Sequence, residues 1–248
     1  MITKIWAHRG SSYEMPENTL EAFELAISQG ADGLELDVHL TGDGHIVVTH
    51  DETVERVSNG EGPVNEYGIK SIKKLSFSKL FPNMPPCTIP TLAEVYDLIA
   101  PTNLTVNVEL KNMRYLYPEL PQKLIDLERA HKMQGRVSYS SFNHFSLKEL
   151  KKLNPKAEIG LLYTEHIVDP WIYAKRLKAK AIHPYFQSLK AYPKTLEMAH
   201  DKKIKVNAWT ADNLSDIDYL IKLGVDAIMT NKPTLAIYRA NVIYKAKK

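Results

Sequence analysis

The chain has 248 residues, 44% hydrophobic and 25% charged, with a formal net charge of +3, ordinary values for a globular protein of one large or two small domains. A charge this mild gives no case for nucleic acid, though it does not oppose an anionic substrate, and no run of eighteen apolar residues predicts a membrane span. The single cysteine, Cys87, excludes an internal disulfide framework and fits a cytoplasmic setting, and MITKIWAHRG carries no signal-peptide pattern.

Residues 2–8, ITKIWAH, alternate in polarity and predict a first strand. Beyond the loop Arg9-Gly10-Ser11-Ser12 comes PENTLEAFELAISQG. Its Leu20, Phe23 and Ile27 recur at helical spacing, with Asn18 or Thr19 as cap and Gly30 as stop. DGLELDVHL (32–40) predicts a second strand, TGDGH a tight turn, and IVVT a short returning strand that ends at His50-Asp51. Residues 52 to about 88 break the rhythm with the turn-rich pieces SNGEGPVNEYG and FPNMPPC around a short helical pattern, SIKKLSFSKL. They read as an insertion. Thereafter strands are expected at 103–111, 136–142, 158–164, 180–186, 205–210 and 226–233. Helices are expected at 91–100, 118–132, 146–153, 169–179, 192–203, 213–224 and 233–245. Lys245, Lys247 and Lys248 read as a solvated tail.

Eight strands each followed by a helix imply parallel pairing with right-handed crossovers. In about 250 residues this fits one closed (β/α)8 TIM barrel over 1–248, with the small insertion after the second strand and its hairpin. A doubly wound open sheet is the alternative, but no glycine-rich dinucleotide fingerprint follows the first strand.

Barrel active sites lie at the C-terminal ends of the strands. Those ends carry His8-Arg9, Glu35 and Asp37 with His50 beyond, Glu109 and Lys111, Ser141-Phe142, His183-Pro184-Tyr185, Trp209 and Thr230-Asn231. Glu35 and Asp37 are two apart on a strand and share one face, with Leu34, Leu36 and Val38 on the other. Each acid alone would be an ion-pair partner for Arg9 or Lys111. Three of them beside two fixed cations favour one divalent cation, and all-oxygen ligation points to Mg²⁺ or Ca²⁺. His8 and His50 are the acid/base candidates, because imidazole exchanges protons near neutral pH. Arg9 and Lys111 offer fixed positive charge to a phosphate ester. Phe142, Tyr185 and Trp209 would form an apolar wall at the mouth. His39 and His45 lie on the hairpin and are expected to be exposed; His183, at a strand end, stands between a site residue and a structural histidine.

The pieces AHRG with PENT (7–10, 16–19), ELDV…TGDG…VVTHD (35–51), IPTLAEV (89–95), VELK (108–111), VNAWT (206–210) and GVDAIMTNKP (224–233) run through most of the chain. In this order the sequence resembles the glycerophosphodiester phosphodiesterase family. The resemblance implies a (β/α)8 barrel with a small insertion. It makes Glu35, Asp37 and Glu109 metal ligands, His8 and His50 the catalytic pair, and Arg9 and Lys111 phosphate contacts. Asn18 would support the first loop. WTADN at 209–213 departs from the Trp-Thr-Val-Asn that family members often carry, which bears on the fine shape of the pocket.

The activity so implied is metal-dependent hydrolysis of small glycerophosphodiesters to sn-glycerol 3-phosphate and an alcohol, with the substrate's own 2-hydroxyl often taken as the nucleophile. A lysophospholipase D-type activity at the same site is the alternative, and a catalytically silent barrel is a third reading that the intact acids and histidines oppose. The expected partner is a small-molecule phosphodiester, with no nucleic acid; a homodimer is left open.

Overall fold

The computed structural model describes residues 2–246. In chain order the elements are β1 (Lys4–His8), α1 (Leu20–Ser28), β2 (Gly33–Leu40), β3 (Ile46–Val48), α2 (Ile69–Ile72), α3 (Leu92–Ile99), β4 (Thr105–Leu110), α4 (Leu120–Ala130), β5 (Val137–Ser141) and α5 (His144–Leu153). They continue as β6 (Glu158–Tyr163), α6 (Pro170–Arg176), β7 (Ala181–Pro184), α7 (Phe186–Ala191), α8 (Lys194–Asp201), β8 (Lys205–Ala208), α9 (Leu214–Leu223), β9 (Ala227–Thr230) and α10 (Pro233–Lys245). The parallel order β1-β9-β8-β7-β6-β5-β4-β2 closes through β1–β2 pairing, giving the (β/α)8 barrel that the alternation predicts. β3 hangs antiparallel on β2, with His39 opposite Val47.

Every residue of β2 is buried, as a strand covered on both faces must be. Its outward Leu34, Leu36 and Val38 join Ile5, Val106, Val108, Phe23, Val95 and Tyr96 in the main core between barrel and helices. Burying one such side chain is worth about 1.5–3 kcal/mol. The outer layer therefore carries the fold, and the inward positions can hold polar groups.

Local chemistry sets the element ends. Thr19, rather than Asn18, caps α1, accepting from the Ala22 N–H at 3.2 Å. Thr91 and Glu94 form a reciprocal capping box on α3. Gly10 has φ +82°, and a Cβ there would lie 2.7 Å from Ala22, so only glycine lets α1 approach the β1 loop this closely.

The insertion packs Val54, Val57, Val64, Ile72 and Phe77 into a small second core with Val47 and Ile89. Among the described residues its only α-helical turn is α2, preceded by a 3₁₀ turn at Val64–Glu66, and SIKKLSFSKL does not continue as a helix. Ile72 and Phe77 are buried five residues apart and Leu80 is 55% exposed, a pattern with no helical face. The strand expected through Phe186 stops at Pro184, and α7 follows. Lys245 ends α10, whereas Lys247 and Lys248 lie outside the described residues. No helix among the described residues is long and apolar enough to cross a membrane.

Candidate active site

Register brings the acids together. His8 pairs with Glu35 across β1–β2, and Asp37 with Glu109 across β2–β4. Glu35, Asp37 and Glu109 are buried, and each offers a carboxylate oxygen within 4.8 Å of the others. Arg9 Nε stands 3.2 Å from Asp37 Oδ2; Lys111 Nζ stands 2.8 Å from Glu109 Oε1 and 3.8 Å from Asp37 Oδ1. Asn18, held at φ +58°, donates from Nδ2 to Asp37 Oδ2 at 2.9 Å, so the PENT loop grips the acid cluster directly.

Burial, followed by repulsion from Asp37 and Glu109, pushes the Glu35 carboxyl well above the usual carboxylate range. Burial also lifts Glu109, with Asp37 adding to it against the pull of Lys111. For Asp37 the burial penalty is overcome by Arg9 first, then His50 and Lys111, and its carboxyl stays below the usual range. Asp37 Oδ1 is buried without a hydrogen-bond partner. Three clustered oxygen donors, one of them unsatisfied, fit a hard divalent cation. The charges agree. Three carboxylates and two fixed cations leave one negative charge, a dication turns that into one positive charge, and a phosphodiester anion cancels it.

The two histidines flank this cluster and are oriented differently. His8 Nδ1 lies 2.7 Å from Asn231 Oδ1, and its Nε2 lies 3.8 Å from Glu35 Oε2. Burial, then Arg9, lowers the His8 pKa to about 4. His50 Nδ1 lies 2.6 Å from Asp51 Oδ1, and its Nε2 lies 3.1 Å from Lys111 Nζ. An ammonium can only donate, so Nε2 of His50 accepts and Nδ1–H faces Asp51. The His50 bond, ahead of Arg56, holds the Asp51 carboxyl below the usual range.

Arg56, from the insertion, donates to Asp51 and makes two bonds to Glu17 at 2.7 and 2.8 Å; Glu17 also takes a 2.9 Å bond from Arg9. A chain of charge thus links His50 through Asp51, Arg56 and Glu17 to Arg9. The sequence reading missed Glu17, Asp51, Arg56 and Asp212, although Glu17, Asp51 and Asp212 stand inside pieces it singled out.

Phe142 and Trp209 meet edge to face at 5.5 Å and line one hollow with His8, Arg9, Glu35, His50, Glu109 and Lys111. Tyr185 packs against Trp209 at 5.4 Å rather than lining that hollow. A second hollow, between Tyr13, Glu17 and Asp212, shares His8, Arg9 and Thr210 with the first.

Two other histidines behave unlike the expectation. His39 is fully buried, not exposed: as an inward residue of β2 it places Nε2 3.1 Å from the His50 carbonyl and packs against Tyr117 at 6.0 Å. His183 is buried beside Trp6 and Asn207, in a cavity reaching Lys4 and Lys205 at the strand starts, not at the mouth.

Comparison with known proteins agrees with this geometry. Residues 8–235 match the model of the glycerophosphoryl diester phosphodiesterase family. A glycerophosphodiester phosphodiesterase of Caldanaerobacter subterraneus subsp. tengcongensis is 44% identical over 241 residues, covering 96% of this chain and 97% of that protein. One from Bacillus altitudinis is 37% identical, covering 95% and 97%. Among solved structures, an Oleispira antarctica phosphodiesterase in complex with the product sn-glycerol-3-phosphate superposes with a TM-score of 0.89 at 27% identity, covering 97% of each chain.

Proposed function

The chain belongs to the glycerophosphoryl diester phosphodiesterase family and is an enzyme of that activity, and from this premise we propose that it hydrolyses small glycerophosphodiesters to sn-glycerol 3-phosphate and an alcohol by metal-dependent histidine acid/base catalysis. The observation that carries the reading is the buried triad Glu35, Asp37 and Glu109, with an unsatisfied Asp37 oxygen, between two histidines whose outer nitrogens are engaged. The triad would hold one dication, Mg²⁺ or Ca²⁺. Such an ion supplies Lewis-acid polarisation of a phosphoryl oxygen.

The chain's own residues do the rest. Arg9 and Lys111 hold the phosphate and balance the negative charge that builds up on it. One of His8 and His50 takes a proton from the attacking hydroxyl at Nε2, and the other returns one to the departing alkoxide. Phe142 and Trp209, backed by Tyr185, pack the carbon skeleton of the substrate. The relatives are named for glycerophosphodiesters, and the substrate reading follows them rather than a lysophospholipid. The whole chain acts as one catalytic domain, and the free, buried Cys87 suits the cytoplasm.

The test is release of sn-glycerol 3-phosphate from glycerophosphocholine and glycerophosphoethanolamine, with lysophosphatidylcholine beside them, in EDTA and after Mg²⁺ or Ca²⁺ add-back. Turnover of the first two only with metal is expected. Metal-independent turnover, or a preference for the lysophospholipid, contradicts the reading.

A further inference from the structure

Asp212 touches neither the acid triad nor the phosphate-binding cations, yet three donors converge on it. Thr230 Oγ1 and the Asn231 N–H reach its Oδ1 at 2.9 and 2.8 Å, and Asn231 Nδ2 reaches its Oδ2 at 2.6 Å. The Lys232 N–H donates to Thr230 Oγ1 at 3.0 Å, which commits the Thr230 hydroxyl proton to Asp212. A carboxylate accepts only, so the amide of Asn231 has one permissible orientation: NH₂ toward Asp212, carbonyl away from it. That carbonyl meets His8 Nδ1 at 2.7 Å and Ser12 Oγ at 2.8 Å. Turned over, the amide would set an oxygen against the carboxylate.

We propose that Asp212 and Asn231 form a positioning relay that fixes His8 as its Nδ1–H tautomer and so keeps the Nε2 lone pair aimed at the acid cluster. This rests on the reading of His8 as one of the proton-transfer pair. Neither relay residue touches the reacting atoms. Asn231 accepts from Nδ1–H whether His8 is neutral or protonated, so the ring keeps its orientation while Nε2 gains and loses a proton. His50 is held differently: a carboxylate from its own loop, Asp51, takes its Nδ1–H. The His8 relay draws on the loops that follow two strands, β8 for Asp212 and β9 for Asn231.

The test is nuclear magnetic resonance of the full chain labelled with ¹⁵N-histidine at pH 7, which reads which ring nitrogen carries the proton. The His8 signals are those missing from His8→Ala. The expected wild-type result is a proton on Nδ1 alone. Asp212→Ala should blur that preference and lower kcat by about 10–100-fold while KM stays within about threefold, the effect of freeing a histidine's outer nitrogen. Asp212→Asn, which keeps one acceptor oxygen, should recover part of the loss. An Nε2–H tautomer in the wild type overturns the relay and needs no variant to fold; an unchanged kcat in Asp212→Ala overturns it too. Wild-type turnover in His8→Ala instead defeats the catalytic assignment of His8, on which the relay depends, while the tautomer result stands apart from it.

Discussion

The two ends of the barrel interior bury polar groups in opposite ways. At the C-terminal mouth, three acids, two cations and two histidines compensate one another through contacts of 2.8–3.8 Å. Toward the N-terminal end, His183 sits with Asn207 and Trp6, and burial alone depresses its pKa to about 3. Its Nδ1 and the Trp6 Nε1 have no partner. Gly160 leaves the space its ring occupies, since a Cβ there would collide with it. The inner end is a packing solution in which a neutral histidine fills the barrel. The mouth concentrates charge that packing does not require, and concentrated, unsatisfied charge is what marks a site for chemistry.

Substitutions can break this contrast, the largest effect coming at the triad. Glu35→Gln keeps the shape and removes one of three mutually repelling carboxylates. Turnover should fall by about a thousandfold, the rate equivalent of several kcal/mol of metal-supplied stabilisation, with no drop in melting temperature. His8→Ala and His50→Ala should each cost about 10²–10⁴-fold in kcat, read by steady-state kinetics on glycerophosphocholine, again with an intact fold. Arg56→Met should cost about 10–100-fold, because Asp51 would lose the partner that holds it against His50.

The smallest effect is on stability and belongs to the buried neutral histidines. Burial lowers His39 to about 4 and His183 to about 3, against the ordinary 6.5. Below pH 6.5 the unfolded chain binds protons that the folded chain refuses. Stability is therefore full above 6.5 and falls as pH drops toward 4, by about 1 kcal/mol per pH unit for each histidine. Urea unfolding of the wild type and of His183→Gln across that range checks this, with a shallower fall expected in the variant. Equal slopes would show that His183 is not the inert, neutral packing group described above.

Much of this contrast was legible in the sequence, and what was not has a physical reason. Glu35, Asp37 and Glu109 announce themselves because strand alternation puts them on one face and the barrel rule puts that face at the mouth. The same rule misplaces His183. Its β7 is only four residues long, so a residue one from the strand end already points into the lower barrel. His39 reads as exposed because it lies on the hairpin, yet β3 and Tyr117 cover it. The Glu17–Arg56 pair spans 39 residues with no periodicity to announce it, and Asp212 is an acid in a loop until β9 brings Asn231 beside it. Pairing between distant loops is set by closure of the barrel, which no local pattern encodes.

On the reading proposed above, the mouth acids hold one catalytic dication. Calorimetric titration of the EDTA-treated protein with Mg²⁺ and Ca²⁺, alongside Asp37→Asn and Glu109→Gln, tests it most directly. One ion per chain for the wild type, with binding and turnover lost together in both variants, is the expected result. An EDTA-treated wild type that binds no dication and still turns over glycerophosphocholine at full rate would contradict it.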